Sequence, residues 1–173
     1  MEVFKPFERI RLPVEKEVWD MFVGALPQGF VPGSIVFVGD DGNGTLADMA
    51  DKTYPGIHIS IVDRKPAIVE RLKPYAQEHG WSVIAGDITD PDTIDDIVNK
   101  TSGGAAAVFM KHGVHLNRPR DQEKVVASLF RLSRRGGSVG WSVPTIFVGS
   151  LVRPQEAFTD KTISHDIFHS TVY

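Results

Sequence analysis

The 173-residue sequence contains no cysteine, which excludes disulfide bonds, thiolate nucleophiles and thiolate metal sites. It has no run of the roughly 18–20 apolar residues that a membrane-spanning helix needs. The formal net charge at pH 7 is only -3, so the chain lacks the broad positive surface typical of a nucleic-acid-binding protein. With 42% hydrophobic and 24% charged residues, the composition is that of an ordinary globular domain.

The first residues, MEVFKPFERIRL, mix acidic and basic side chains with apolar ones, whereas a secretory signal needs an uninterrupted apolar segment. We therefore expect a cytoplasmic protein. The length predicts a single domain over 1–173. Within it we expect an N-terminal helical extension (1–33), a core that carries the site (34–143) and a C-terminal tail (144–173) that adds one or two edge strands.

Short apolar segments rich in β-branched residues alternate with amphipathic segments along the chain. The apolar segments predict five buried strands: SIVFVG (34–39), IHISIVD (57–63), WSVIAGD (81–87), AAAVFM (105–110) and GSVGWSV (137–143). The other segments predict helices at 14–26, 45–53, 66–79, 91–100 and 121–135. This alternation indicates an α/β protein with a doubly wound, mostly parallel sheet and helices on both faces. In such a fold the ligand site lies at the carboxyl ends of the strands.

Two of the predicted helices contain or precede helix-breaking residues. Pro74 falls inside 66–79, and a proline there removes a backbone hydrogen bond, so we expect a kink or a break. Helix 121–135 has acidic residues in its first turn and arginines in its last, and Gly136-Gly137 is expected to end it.

A glycine-rich loop, VGDDGNGT (38–45), joins the first strand to the helix that follows it. Glycine allows a sharp turn and the close approach of a ligand to the backbone. The start of the helix adds free N–H groups and a partial positive charge. A plain tight turn would use similar residues, but the position between a strand and a helix favours a nucleotide-binding loop.

Acidic residues follow the second and third strands. Asp63 lies about twenty residues beyond the glycines, where a carboxylate can accept hydrogen bonds from the hydroxyl groups of an adenosine ribose; its alternative role is to cap helix 66–79. Asp87 can accept a hydrogen bond from the amino group of an adenine while Ile88 packs on the face of the adenine ring. Here too the alternative is capping, because Thr89 and Asp90 precede a helix.

In order and spacing, VFVGDDGNG, IVDR and AGDIT resemble the class I S-adenosylmethionine-dependent methyltransferases, and RLSRRGGSVGWSV resembles the helix and fifth strand of that family. The resemblance covers roughly residues 34–143. It implies that the loop after strand one faces the methionine part of the cofactor, the acid after strand two holds the ribose and the Gly-Asp pair after strand three meets the adenine. The cofactor-binding residues that it implies are Gly39, Asp40, Asp41, Gly42, Gly44, Asp63, Arg64, Asp87 and Ile88.

The sequence departs from the family pattern in the loop and in the tail. The loop reads GDDGNG where GxGxG is usual, and the segment after the fifth strand is short, which implies a reduced C-terminal part. The pair Asp40-Asp41 also resembles the GDD loop of branched-chain polyamine synthases, which are aminopropyl transferases. Two carboxylates would attract an ammonium or a sulfonium and repel phosphate groups. Three functions stay open: methyl transfer to a small molecule, aminopropyl transfer from decarboxylated S-adenosylmethionine, and a non-catalytic partner or regulatory subunit.

NAD is the alternative cofactor. GNGTLA (42–47) fits the pattern GxGxxA, Asp63 lies at a suitable distance, and VIAGDITD (83–90) resembles part of the short-chain dehydrogenases and epimerases. However, the chain contains no Tyr-x-x-x-Lys pair, and Asp40-Asp41 beside a pyrophosphate would be electrostatically costly. S-adenosylmethionine is therefore the expected cofactor.

The loop after the fourth strand, FMKHGVHLN (109–117), is expected to lie beside the reactive end of the cofactor. Methyl transfer needs mainly proximity and orientation, with at most a base that unmasks the nucleophile. His112 is the candidate base, or it only lines the pocket, and His115 is expected to pack inward. The signature of nucleic-acid amino methyltransferases is absent here, which favours a small-molecule acceptor. We expect no metal site. Whether the chain forms a homo-oligomer or binds a partner subunit stays open.

Overall fold

The computed structural model describes residues 13–40, 42–111, 113, 117–144 and 165–171. Asp41, His112 and His115 lie outside these described residues, as does most of the tail beyond residue 144. In chain order the described elements are α1 (Pro13–Ala25), β1 (Ser34–Val38), α2 (Thr45–Thr53), β2 (His58–Asp63), α3 (Pro66–His79), β3 (Ser82–Ala85), α4 (Pro91–Lys100), β4 (Ala105–Lys111), α5 (Pro119–Leu132), β5 (Ser133–Pro144) and β6 (His165–Thr171).

The described strands form one six-stranded sheet in the order β3-β2-β1-β4-β5-β6. Strands β1 to β5 are parallel to one another, and β6 pairs with β5 in the antiparallel direction. The predicted doubly wound α/β fold is therefore confirmed, and β6 is an edge strand of the kind expected in the tail. The chain leaves β1 for β2 on one side and later returns to β4 on the other side. The crevice between β1 and β4 is where such sheets bind ligands.

Helices cover both faces of the sheet because its central strands are apolar on both sides. In β1, Ile35 and Phe37 belong to the core under α1, α2 and α3, whereas Val36 and Val38 belong to the core under α4 and α5. Helix α1 packs over β4, where the Phe22 and Phe109 ring centroids lie 4.6 Å apart. The described part of the N-terminal extension is thus integral to the core.

Helix α3 runs without interruption from Pro66 to His79, so of the two outcomes expected at Pro74 the break is wrong, and the kink stays a prediction. Pro74 lies on the exposed side of the helix, where the carbonyl that loses its partner can bond to water. No helix in the described ranges is both long and apolar enough to cross a membrane.

The boundary between α5 and β5 also differs from the prediction. The helix expected at 121–135 begins at Pro119 and ends at Leu132. The next residues already belong to β5, which pairs with β4 on both sides of an irregular segment, 134–137. Gly136, with φ at 75°, allows this bulge. The two glycines therefore shape a bulged strand rather than end a helix.

Candidate functional site

A cavity of about 300 Å³ opens at the carboxyl ends of β1, β2, β3 and β4. Residues from all three sequence motifs line it, because parallel strands bring the loops that follow them to one edge of the sheet. The register aligns Val38 of β1 with Val62 of β2 and with Met110 of β4. Of the predicted cofactor-binding residues, those that line the cavity are Gly39, Asp40, Asp63, Arg64, Asp87 and Ile88.

The glycine loop is organised by its own carboxylate. Asp40 Oδ1 accepts hydrogen bonds from three successive backbone N–H groups, those of Gly42 at 2.7 Å, Asn43 at 3.0 Å and Gly44 at 3.0 Å. The N–H groups of these three loop residues, which precede the first turn of α2, are therefore occupied by the chain itself. A phosphate group would have to displace this carboxylate, whereas a cationic group meets the negative charge that Asp40 already places there.

The three described glycines of the loop serve two purposes. All of them have positive φ angles, 77° at Gly39, 86° at Gly42 and 62° at Gly44. A Cβ on Gly42 would lie 2.8 Å from Arg71 Cδ, and one on Gly44 would lie 3.1 Å from Trp81 Cζ3. These two glycines therefore allow the loop to pack on α3 and on Trp81, which precedes β3, and neither lines the cavity. Gly39 does line it.

Asp63 holds the end of β2 against the glycine loop. Its side chain is buried, with Oδ2 accepting the Asp40 N–H at 3.0 Å and Oδ1 accepting the Lys65 N–H at 2.8 Å. The carboxylate thus supports the turn into α3, but it is not the cap of that helix, because the N-cap residue is Lys65 and no side chain caps it. Asp63 also lines the cavity. Each carboxylate oxygen can accept a second hydrogen bond, so a ligand hydroxyl can still bind.

In the loop after β3, one aspartate caps the next helix and another lines the cavity. Asp90 is the N-cap of α4, and its side chain accepts the Asp92 N–H. Asp87 is therefore not needed for that cap; its Oδ1 accepts both the N–H and the hydroxyl group of Thr89, at 2.9 and 2.8 Å. Ile88 is buried, and both residues line the cavity.

Sequence reasoning placed segment 109–117 beside the site but did not single out Lys111 or Asn117. Lys111 lines the cavity, and its Nζ donates to Glu15 Oε1 of α1 at 2.6 Å. Asn117 also lines the cavity and donates through Nδ2 to the Gly113 carbonyl at 2.8 Å. Lys111 directly follows the apolar residues 105–110, which was a usable signal. No local pattern links it to a glutamate 96 residues away.

Charges of both signs surround the cavity, which therefore suits a ligand that is itself cationic in one part and anionic in another. Among the described residues, no group of three or more histidine, aspartate and glutamate side chains is placed to bind a metal ion. The charged residues of the wall are Asp40, Asp63, Asp87, Arg64, Lys65 and Lys111.

No protein-family model and no curated protein sequence matches the chain. Solved structures of similar fold include coclaurine N-methyltransferase bound to N-methylheliamine and SAH, at 12% identity and a TM-score of 0.57, with 75% of this chain and 36% of that one covered. A methyltransferase in complex with the Haloferax volcanii activator Trm112 matches at 19% identity and a TM-score of 0.55, over 75% of this chain and 54% of that one.

A Rhodobacter sphaeroides protein named as a zinc-dependent alcohol dehydrogenase also matches, at 15% identity and a TM-score of 0.58, over 82% of this chain and 53% of that one. The chain thus spans between 36% and 54% of the length of these three proteins. At such identities the likeness concerns the fold. The chain has an α/β fold of the class I methyltransferase type.

Proposed function

We propose that the chain binds S-adenosylmethionine in the cavity at the strand ends and transfers its methyl group to a small-molecule acceptor. One observation carries the proposal: residues after β1, β2 and β3 line a single cavity, in the order that the family resemblance assigns to the three parts of the cofactor. The solved methyltransferase with bound SAH supports it through its similar fold.

Each part of the cofactor has a matching group on the wall. Gly39 and Asp40 lie where the methionine part would bind, and Asp63 offers carboxylate oxygens to the ribose hydroxyl groups. Asp87 would accept the adenine amino group, and the apolar Ile88 would pack against the ring.

The occupied loop favours a sulfonium cofactor over a dinucleotide. Dinucleotide-binding loops present free N–H groups to a pyrophosphate. In this chain Asp40 accepts those of Gly42, Asn43 and Gly44, and its negative charge would repel a pyrophosphate but attract a sulfonium or an ammonium. This contact supports S-adenosylmethionine even though the fold is shared with a protein named as a dehydrogenase.

Methyl transfer requires little of the protein beyond positioning the cofactor and the acceptor. The sulfonium is a good leaving group, so bringing the acceptor into line with the methyl group supplies most of the rate enhancement. The acceptor would bind beside Asn117, at the end of the cavity formed by the segment that follows β4. His112 follows Lys111 in sequence and is proposed as the base for an acceptor that must lose a proton.

A cofactor-binding subunit that acts with a partner is the second candidate. It is favoured by one comparison, in which a methyltransferase of similar fold is in complex with an activator protein. Under this proposal the chain binds the cofactor but releases no S-adenosylhomocysteine when tested alone with acceptors.

Calorimetric titration with S-adenosylmethionine, S-adenosylhomocysteine and NAD tests the binding step. We expect micromolar binding of the first two ligands and no binding of NAD; binding of NAD alone would refute the proposal. Release of S-adenosylhomocysteine in the presence of phenol, carboxylate and amine acceptors then tests the transfer step. Binding without release from any acceptor would favour the partner-subunit candidate.

A further inference from the structure

Lys111 lies at the corner of the cavity where β1 and β4 end side by side. The register pairs Val38 with Met110, so the next residues, Gly39 and Lys111, are neighbours across the two strands. A Cβ on Gly39 would lie 3.8 Å from the Lys111 carbonyl oxygen. The Lys111 side chain therefore starts beside the glycine loop, at the end of the cavity proposed for the methionine part of the cofactor.

A buried carboxylate outside the cavity holds this side chain in place. Glu15 is only 7% exposed and accepts the Lys111 Nζ at 2.6 Å, and it does not line the cavity, whereas Lys111 does. Pairing with Glu15 fixes an otherwise flexible lysine stem. An ammonium group has three donors, and Glu15 Oε1 takes one of them, so the same group can also donate to an anion in the cavity.

The charges at this corner match a zwitterion. Asp40 lines the cavity one residue beyond Gly39, and Lys111 lines it from the adjacent strand. A free α-amino acid group carries one positive and one negative charge a few bonds apart. Opposite charges on neighbouring strand ends are complementary to it.

We propose that Lys111, positioned by Glu15, binds the α-carboxylate of the cofactor's methionine part and so makes the site select S-adenosylmethionine over its decarboxylated form. This inference rests on the proposed function and deepens it. It also separates methyl transfer from aminopropyl transfer, because the aminopropyl donor lacks that carboxylate and gains nothing from Lys111.

Two ligands that differ in the amino-acid end provide the test. S-adenosylhomocysteine carries the α-carboxylate, whereas 5′-methylthioadenosine keeps the adenosine and the sulfur but lacks the amino-acid group. In calorimetric titrations we expect Lys111→Met to weaken S-adenosylhomocysteine binding roughly ten- to a hundredfold, the loss that accompanies one charged hydrogen bond. Binding of 5′-methylthioadenosine should stay unchanged, which also shows that the variant is folded.

Lys65→Met is the matched control, because Lys65 also lines the cavity but follows β2. It should leave the ratio of the two affinities unchanged. Lys111→Arg retains the positive charge and should keep most of the preference for S-adenosylhomocysteine. Equal effects of Lys111→Met on both ligands, or no effect on either, would overturn the inference while the proposed function stands. Failure of the unmodified protein to bind either ligand would instead overturn the proposed function.

Discussion

The side chain of Asp63 accepts the backbone N–H of Asp40 at 3.0 Å, which ties the end of β2 to the loop that follows β1. The same carboxylate accepts the N–H of Lys65 at 2.8 Å, at the start of α3. The residue proposed to hold the ribose is therefore also the residue that fixes the shape of the site, and its two roles require separate measurements.

Asp63→Ala should lower both stability and affinity. The substitution leaves two backbone N–H groups without their acceptor, and hydrogen bonds to charged groups contribute about 1.5–3 kcal/mol each, so a loss of roughly 3–6 kcal/mol in the free energy of unfolding is expected. Urea denaturation measures it. Glu78→Ala, on the exposed surface of α3, is the control and should change stability by less than about 0.5 kcal/mol. Equal stability of the two variants would contradict the anchoring role.

Two variants of Asp40 distinguish the effect of its charge on binding from its effect on the structure of the loop. Asparagine can accept the same three N–H groups through its side-chain oxygen, so Asp40→Asn should cost less than about 1 kcal/mol, whereas Asp40→Ala should cost roughly 1–2 kcal/mol. Asp40→Asn should nevertheless weaken S-adenosylmethionine binding several-fold, because the negative charge beside the ammonium and sulfonium is lost. Denaturation and calorimetry on both variants check this. Unchanged affinity in a folded Asp40→Asn protein would show that the charge plays no part.

Gly44 is expected to tolerate a side chain less well than Gly80. Both have positive φ angles, 62° and 72°, but a Cβ on Gly44 would meet Trp81 at 3.1 Å, whereas none of the atoms described around Gly80 lies within 4 Å. Gly80→Ala should cost about 1–2 kcal/mol from backbone strain alone, and Gly44→Ala should cost more. Urea denaturation of the two variants compares them, and equal losses would mean that the contact with Trp81 relaxes at no cost.

The pair between Glu15 and Lys111 should couple α1 to the rim of the cavity. Removing one partner leaves the other charge buried and unpaired, so Glu15→Gln and Lys111→Met should each destabilise the protein. The double variant should be less destabilised than the sum of the two, with a coupling energy of roughly 0.5–3 kcal/mol. A double-mutant cycle of unfolding free energies measures it. Strict additivity would indicate that the pair contributes nothing to the attachment of α1.

Much of the sheet could be predicted because its strands are buried on both faces and read as continuous apolar segments. The bounds of α2, α3 and α4 agree with the predicted 45–53, 66–79 and 91–100. The end of α5 could not be predicted in the same way. It depends on the bulge at 134–137 and on how Gly104 packs against the Arg134 backbone, a contact between residues thirty positions apart.

The location of the site followed from strand order, since the loops after parallel strands meet at one edge. The hydrogen bonds within the site could not be predicted from the strand order. Whether Asp40 turns back onto the N–H groups of its own loop depends on the φ angles of that loop. Likewise, the pairing of Lys111 with Glu15 requires α1 to pack over β4, which no local pattern encodes.

Nuclear magnetic resonance of the ¹⁵N-labelled protein during titration with S-adenosylhomocysteine tests the central claim most directly, because it reports both binding and its place. We expect saturable shifts of the backbone amides of Gly39, Arg64 and Ile88, which line the cavity. Gly80 precedes β3, and Gly136 precedes the regular part of β5, so both lie towards the amino ends of these strands, at the opposite edge from the cavity. The chemical shifts of their amides should not change. Absence of shifts at millimolar ligand, or shifts confined to that opposite edge, would contradict the claim that this cavity binds the cofactor.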